Sequence, residues 1–305
     1  MKRGINIGDF FENDYDVTKP FENPVPEWSY DAVCKAGFDH VRIPVRWSIW
    51  TDDANGYKIN EKYAQEVENS VNIYLDNGLE VIINVHHFRE VMDAPKENSE
   101  KLYAIWEQVA ERFKGYSDKL IFEVMNEPTW RTTAEEWNEV QNECVKTIRK
   151  TNPTRKVMVC GIDYSGVFAM DDLVPIEDDN LIGTFHYYFP LEFTHQGAAW
   201  SPTYVDLRDV EWQGTDEEKA NVVKTITEHA VAWSKKYGHP VNLGEFGVYG
   251  KYAKMEDRAR WTDWVTKICE ENDISWSYWE LCRGFGCFEP DGTQIKPLID
   301  ALTNK

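Results

Sequence analysis

Eight times along the chain a short, unbroken apolar run is followed by a longer segment of helical period. This alternation narrows the available folds more than any other feature. The runs are Arg3–Ile7, Phe38–Val45, Leu79–Val85, Leu120–Met125, Lys156–Cys160, Leu181–His186, Val241–Glu245 and Ser275–Glu280. They are rich in Val, Ile and Phe and do not alternate with polar residues, the pattern of parallel strands buried on both faces. Between them lie amphipathic stretches at 26–36, 61–77, 98–114, 133–150, 165–173, 216–236, 254–272 and 295–303. Thr133 ahead of Glu135 and Glu136, Asn98 and Ser99 ahead of Glu100, and Thr215 ahead of Asp216 and Glu217 read as helix starts. Gly37, Gly78 and Gly238 read as left-handed helix stops. No linker, low-complexity tract or charge block divides the 305 residues, a length near the ~250 typical of a (β/α)8 barrel. No GxGxxG follows any run, which argues against a dinucleotide fold. The expectation is an α/β chain forming one (β/α)8 TIM barrel, a single domain over 1–305.

Lys and Arg number 33 against 53 Asp and Glu, a net charge of −20. Such a surface repels nucleic acid and anionic membrane and suits a neutral substrate. No apolar stretch approaches the ~18 residues of a membrane span. The opening Met-Lys-Arg-Gly-Ile-Asn-Ile-Gly carries no apolar leader core, so the expectation is a cytoplasmic protein or a secreted one with its signal removed. The six cysteines show no metal-knuckle spacing. Cys282 and Cys287 are close enough in sequence to pair across a loop, although a reducing compartment disfavours it.

Reactive groups in such barrels gather at the carboxyl ends of the strands. Here those ends bear Asn6, Arg42 and Trp47, His86-His87, Asn126-Glu127-Pro128, His186-Tyr187-Tyr188, Glu245 and Trp279-Glu280. Glu127 and Glu245 stand out. Either alone reads equally as a solvated acid or a rim ion pair. Together, across the barrel mouth, they read as the two carboxyls of glycosidic cleavage, one donating a proton and one ionised. Arg42 suits the cation that keeps one of them charged. His86 and His87 are adjacent, so on a strand they face opposite ways, one toward the site and one behind it. They cannot readily chelate one ion, and no metal or other cofactor is expected. His186 and Tyr188 share a face and suit hydrogen bonds to a carboxylate or sugar hydroxyl. Trp106, Trp137, Trp233, Trp261 and Trp264 lie on helical segments and read as packing. Trp47, Trp50, Trp130, Trp200, Trp212 and Trp279 fall at strand ends or loops, where flat rings suit pyranose faces.

The series RGINIG, HVRIPVRW, NVHH, NEP, HYYFPLEFTHQGAAW, GEFG and SYWE, running from residue 3 to about 289, resembles glycoside hydrolase family 5, most closely its bacterial endoglucanase and mannanase members. The resemblance implies a retaining double displacement, with Glu127 as general acid/base and Glu245 as nucleophile. It implies Asn126 on the sugar 2-hydroxyl, Tyr188 and Arg42 on the nucleophile, His186 beside the acid/base, and His86 on the sugar or carboxylates. Trp279 would floor the cleavage subsite, with Asn6, His87, His195 and Trp200 more distant or supporting. The implied activity is an endo-β-1,4-glucanase acting on a β-linked polysaccharide or oligosaccharide, as a monomer. The alternatives are a β-mannanase or dual enzyme, a metal-dependent barrel hydrolase, and a non-catalytic sugar-binding barrel. Three features depart from the family pattern: a long acidic loop from Asp9 to Pro26, Phe189 in place of an asparagine, and the CRGFGCFEPDG segment. All three are expected to surround the sugar subsites.

Overall fold

A computed structural model describes residues 1–303. The eight apolar runs form β1 (Arg3–Asn6), β2 (His40–Ile43), β3 (Glu80–Asn84), β4 (Leu120–Glu123), β5 (Val157–Cys160), β6 (Leu181–His186), β7 (Val241–Phe246) and β8 (Ser275–Tyr278). They pair in chain order, all parallel, and β8 closes on β1 with Arg3 opposite Trp276 and Ile5 opposite Tyr278. Parallel closure buries both faces of every strand, which is why apolar residues fall on successive rather than alternate positions of the runs.

The period of two still decides which side chains enter the barrel. Ile82, Ile121, Met158 and Ile182 form a separate apolar cluster with Met1 packed against it. Ile82 is in register with Arg42, and Ile121 lies two residues before Glu123 on β4. Arg42 and Glu123 therefore share the inward face with that cluster, toward the carboxyl ends of the strands. The opposite faces, Val41, Ile43, Val81, Ile83 and Phe122, belong to the larger core shared with the helices.

Helices follow at Glu27–Ala36, Glu61–Asp76, Pro95–Arg112, Ala134–Arg149, Asp216–Ile226, Met255–Glu271 and Lys296–Thr303. Thr133 accepts from the Glu136 amide, and Thr215 forms a capping box with Glu218. Gly37, Gly78 and Gly238 take φ of 95°, 88° and 75°, as left-handed stops require. Three readings change. The third helix begins at Pro95, whose missing N–H suits the first turn, so Asn98 lies inside it and donates to the Glu90 and Ala94 carbonyls. The stretch at 165–173 is a 3-10 turn over Val167–Asp172 rather than an α-helix. The stretch at 216–236 passes through a π-helical turn at Thr227–Val231.

All six cysteines are free thiols, so Cys282 and Cys287 form no bridge. Their loop is held by Glu280 instead, whose carboxylate accepts from the amides of Cys282, Arg283 and Phe285.

Candidate active site

The centre of the barrel mouth is organised by Arg42. Its side chain is fully buried on β2 and makes five hydrogen bonds. Nε and Nη2 meet the two oxygens of Glu123 at 2.6 and 2.7 Å, and Nη1 donates to Glu245 Oε1 at 2.8 Å. The remaining bonds reach Asn6 Oδ1 at 2.8 Å and Asn126 Oδ1 at 2.7 Å. The buried guanidinium is compensated by the Glu123 carboxyl group in fork geometry and by single bonds to Glu245, Asn6 and Asn126.

Glu245 reaches this position through an irregularity in β7. Phe185 is in register with Leu243, but the next residue, His186, pairs with Glu245. Gly244 is thus the extra residue of a bulge, and its carbonyl accepts from Asn6 Nδ2 at 3.0 Å. A β-carbon there would meet Thr184 Oγ1 at 2.8 Å and His186 Nε2 at 3.3 Å, so only glycine lets β7 approach β6 this closely. The second oxygen of Glu245 accepts from the Tyr188 hydroxyl at 3.1 Å. Burial raises the Glu245 carboxyl above its ordinary range, while His186 and Arg42 oppose the rise.

Glu127 leaves β4 in the Asn-Glu-Pro turn. His186 Nδ1 lies 2.8 Å from Glu127 Oε1 and 3.7 Å from Glu245 Oε2, standing between the two acids. One oxygen from each glutamate and a ring nitrogen of His186 all lie within 4.8 Å of one another. No cation bonds Glu127 among the described residues. Burial pushes its carboxyl up to about 7, the Glu123 charge adding to the rise and Arg42 opposing it. Burial also holds His186 below its ordinary range, so a neutral ring with one proton faces the pair. The same trio offers ligand types that metals take. Both Glu245 oxygens are already engaged by Arg42 and Tyr188, however, and the guanidinium disfavours a second cation there.

Around this centre opens a cleft of about 530 Å³, lined among others by Asn126, Glu127, Tyr188, Glu245, His86, His87, His195, Trp200 and Trp279. The His86 ring lies parallel to Trp279 at 6.0 Å. His87 also lines the cleft, contrary to the alternation argument. β3 has ended at Asn84 and His87 takes φ 48°, so strand geometry no longer separates the two rings, which sit 4.4 Å apart. Asn6 and Arg42 are fully buried and do not line the cleft; they stand behind Glu245.

The aromatic group divides. Trp200 and Trp279 line the cleft. Trp47 is buried against Tyr63 and donates to the Asn84 carbonyl, Trp50 stacks on Tyr63, and Trp212 is buried. These three are packing residues, a distinction that exposure makes and sequence position does not. Phe189 points away from the cleft and packs on Tyr187 and Phe168. Part of the long first loop is likewise packing, since Tyr15 and Phe21 pack together near Trp50 and Phe21 meets Tyr63. Glu280, named at a strand end, and Asp9 and Phe285, from two of the segments expected around the subsites, line the cleft; residues not singled out from sequence include Tyr249, which also lines it, and above all Glu123. The last was visible as the one ionisable residue in the apolar run LIFEVM.

A family model described as Cellulase (glycosyl hydrolase family 5) matches residues 21–284. Endoglucanase H of Acetivibrio thermocellus is 35% identical over 280 residues, covering 92% of this chain; the chain spans 29% of that relative's length. Among solved structures, the cellulose synthase subunit Z of Clostridioides difficile superposes with a TM-score of 0.94 at 36% identity, covering 99% of both chains. Thermotoga maritima Cel5A in complex with mannotriose gives 0.92 at 37% identity, covering 99% of this chain and 97% of that one. The chain therefore belongs to the cellulase family, glycosyl hydrolase family 5.

Proposed function

We propose that this barrel, acting as a single catalytic unit over 1–305, hydrolyses internal β-1,4 bonds of glucan chains with retention of anomeric configuration. The observation that carries the reading is the approach of the Glu127 and Glu245 oxygens to within 4.8 Å. That spacing suits direct attack by one carboxylate, where carboxyls ~5–5.5 Å apart retain and those ~6.5–9.5 Å apart leave room for an inverting water. Glu245, held ionised by the Arg42 guanidinium and the Tyr188 hydroxyl, attacks the anomeric carbon. Glu127, kept protonated near neutrality by burial, gives its proton to the departing oxygen. In the second half-reaction Glu127 takes a proton from water as that water displaces Glu245, which restores both groups. His186, bonded to Glu127 and near Glu245, steadies the two through their exchange of charge. Asn126 gives its Oδ1 to Arg42, leaving its amide N–H groups for the sugar 2-hydroxyl. Trp279, His86 and His87 offer flat and polar surface to the sugar at the cleaved bond, with His195 and Trp200 further along the cleft. Asn6 and Arg42 act from behind, through Glu245.

The endoglucanase name of the Acetivibrio relative supports glucan as substrate. Mannan is the second reading, favoured by the mannotriose bound to the Thermotoga enzyme. Sugar release from carboxymethylcellulose and mannan, measured side by side, separates the two. The mechanism is tested by Glu245→Gln and by NMR of the first product: the expected outcomes are loss of turnover and a β-anomer. A first-formed α-anomer would overturn the double displacement. Activity surviving exhaustive chelation excludes the metal-dependent alternative, and hydrolysis that needs both glutamates excludes a purely binding barrel.

A further inference from the structure

Glu123 has no part in the hydrolytic steps above. It is fully buried and does not line the cleft, so it touches no sugar. Opposite it in register stand Asn84 on β3 and Met158 on β5, and Met158 belongs to the apolar cluster that fills the barrel interior. Asn84 is engaged elsewhere: its Nδ2 lies 3.2 Å from His86 Nδ1, and its Oδ1 accepts from the Val45 amide at 3.2 Å. Among the described residues Arg42 alone bonds the Glu123 carboxyl, through Nε at 2.6 Å and Nη2 at 2.7 Å. An acid buried among apolar side chains for the sake of one partner calls for a reason.

All five N–H groups of Arg42 are engaged, and Glu123 takes the edge formed by Nε and Nη2. A planar group clamped at two points along one edge can neither swing nor turn. Its other donors are thereby aimed, Nη1 at Asn6 and Glu245 and the second Nη2 hydrogen at Asn126. Charge is divided along the same lines. Three carboxyl groups, Glu123, Glu245 and Glu127, gather around one guanidinium, and the other titratable groups that face them are neutral. Burial holds His86 and His186 below their ordinary range and keeps the Tyr188 hydroxyl and the Cys160 thiol above theirs. Glu127 makes no bond to Arg42, and the Glu123 charge favours the protonated form of its carboxyl.

We propose that Glu123 is a positioning residue for the hydrolysis, acting through Arg42: its clamp aims the guanidinium at Glu245, and its charge offsets part of the one cation beside the two reacting acids. Both effects presuppose the hydrolase reading above, with Glu127 as acid and Glu245 as nucleophile. With a neutral side chain at position 123, more of the guanidinium charge would act on Glu245 and Glu127, and both would ionise at lower pH. Glu123 thus sets the pH window in which one acid is charged and the other is not.

The test is the pH dependence of kcat/KM for cellohexaose. Its acid limb reports Glu245, which must be ionised, and its alkaline limb Glu127, which must carry a proton. Glu123→Gln keeps the size of the side chain and removes its charge. Both limbs are expected to move to lower pH by about one unit. Loss of the clamp alone would free Arg42 from Glu245 and move the acid limb to higher pH; that result, or two unmoved limbs, overturns the proposal. Glu123→Asp keeps the charge and draws the carboxyl back by one methylene. It is expected to leave both limbs in place and to lower kcat roughly tenfold or more with KM little changed. If Glu123→Gln does not fold, Glu123→Asp decides: a wild-type kcat, or a loss carried by KM, overturns the proposal. If the wild-type enzyme does not cleave cellohexaose, the hydrolase reading falls and takes this role with it. If it cleaves with both limbs present and the variants leave limbs and kcat unchanged, only the role of Glu123 falls.

Discussion

Replacing Arg42 with lysine keeps the charge at the centre of the barrel and removes the fork. Arg42 makes five hydrogen bonds to four side chains, whereas an ammonium has three donors on one nitrogen. At least two bonds are lost, and bonds to charged groups are each worth about 1.5–3 kcal/mol. The expected destabilisation is about 3–6 kcal/mol, in the range for disturbing a buried ion pair. The bonds most exposed to loss are those at the ends of the fork, to Glu245 and Asn126. Glu245 would then lose a group that opposes the rise of its carboxyl pKa. The acid limb of the kcat/KM profile should move to higher pH, because Glu245, the proposed nucleophile, would ionise later. Urea unfolding at pH 6 measures the first effect and a pH–rate profile on an aryl β-cellobioside the second. A midpoint equivalent to under 1 kcal/mol of loss, together with an unmoved acid limb, would refute Arg42 as the organiser of this site.

Three further outcomes follow from the same geometry. The alkaline limb of kcat/KM should fall near pH 7, because Glu127 must carry a proton to act and its carboxyl sits at about 7. In Glu127→Ala that limb should vanish for substrates with activated leaving groups, and its survival would show that another group controls it. Glu12 is buried, and burial pushes its carboxyl from 4.5 up to about 8. Between those values the unfolded chain gives up the proton that the folded chain keeps. Wild type should therefore lose stability relative to Glu12→Gln by about 1.4 kcal/mol per pH unit through that window, levelling above pH 8; parallel curves would refute the assignment. Gly244→Ala should cost about 1–3 kcal/mol by overpacking, since its β-carbon meets Thr184 Oγ1 at 2.8 Å. It should lower kcat more than tenfold by displacing Glu245 and His186, and wild-type kcat would show that the bulge can relax.

Much of this site can be read along the chain because barrels concentrate chemistry at strand ends. Glu127, Glu245, His186 and Tyr188 close apolar runs or directly follow them, and they converge as that position implies. The readings that changed all needed information beyond position. His86 and His87 face one cleft because β3 stops two residues earlier and His87 adopts a left-handed backbone. Trp47, Trp50 and Trp212 occupy the same kind of loop as Trp200 yet are buried, since exposure depends on what the neighbouring loops cover.

Local pattern sufficed for the number of strands, their parallel order and the placement of two glutamates at the barrel mouth, because hydrophobic period and strand-end placement are properties of neighbouring residues. Tertiary packing alone decided that one guanidinium would join Glu123 to Glu245, 81 and 203 positions away from it. It also decided that a one-residue bulge at Gly244 would set Glu245 opposite His186. Those facts depend on the register of the closed barrel, in which residues remote in sequence share a buried space too small to leave a charge unpaired.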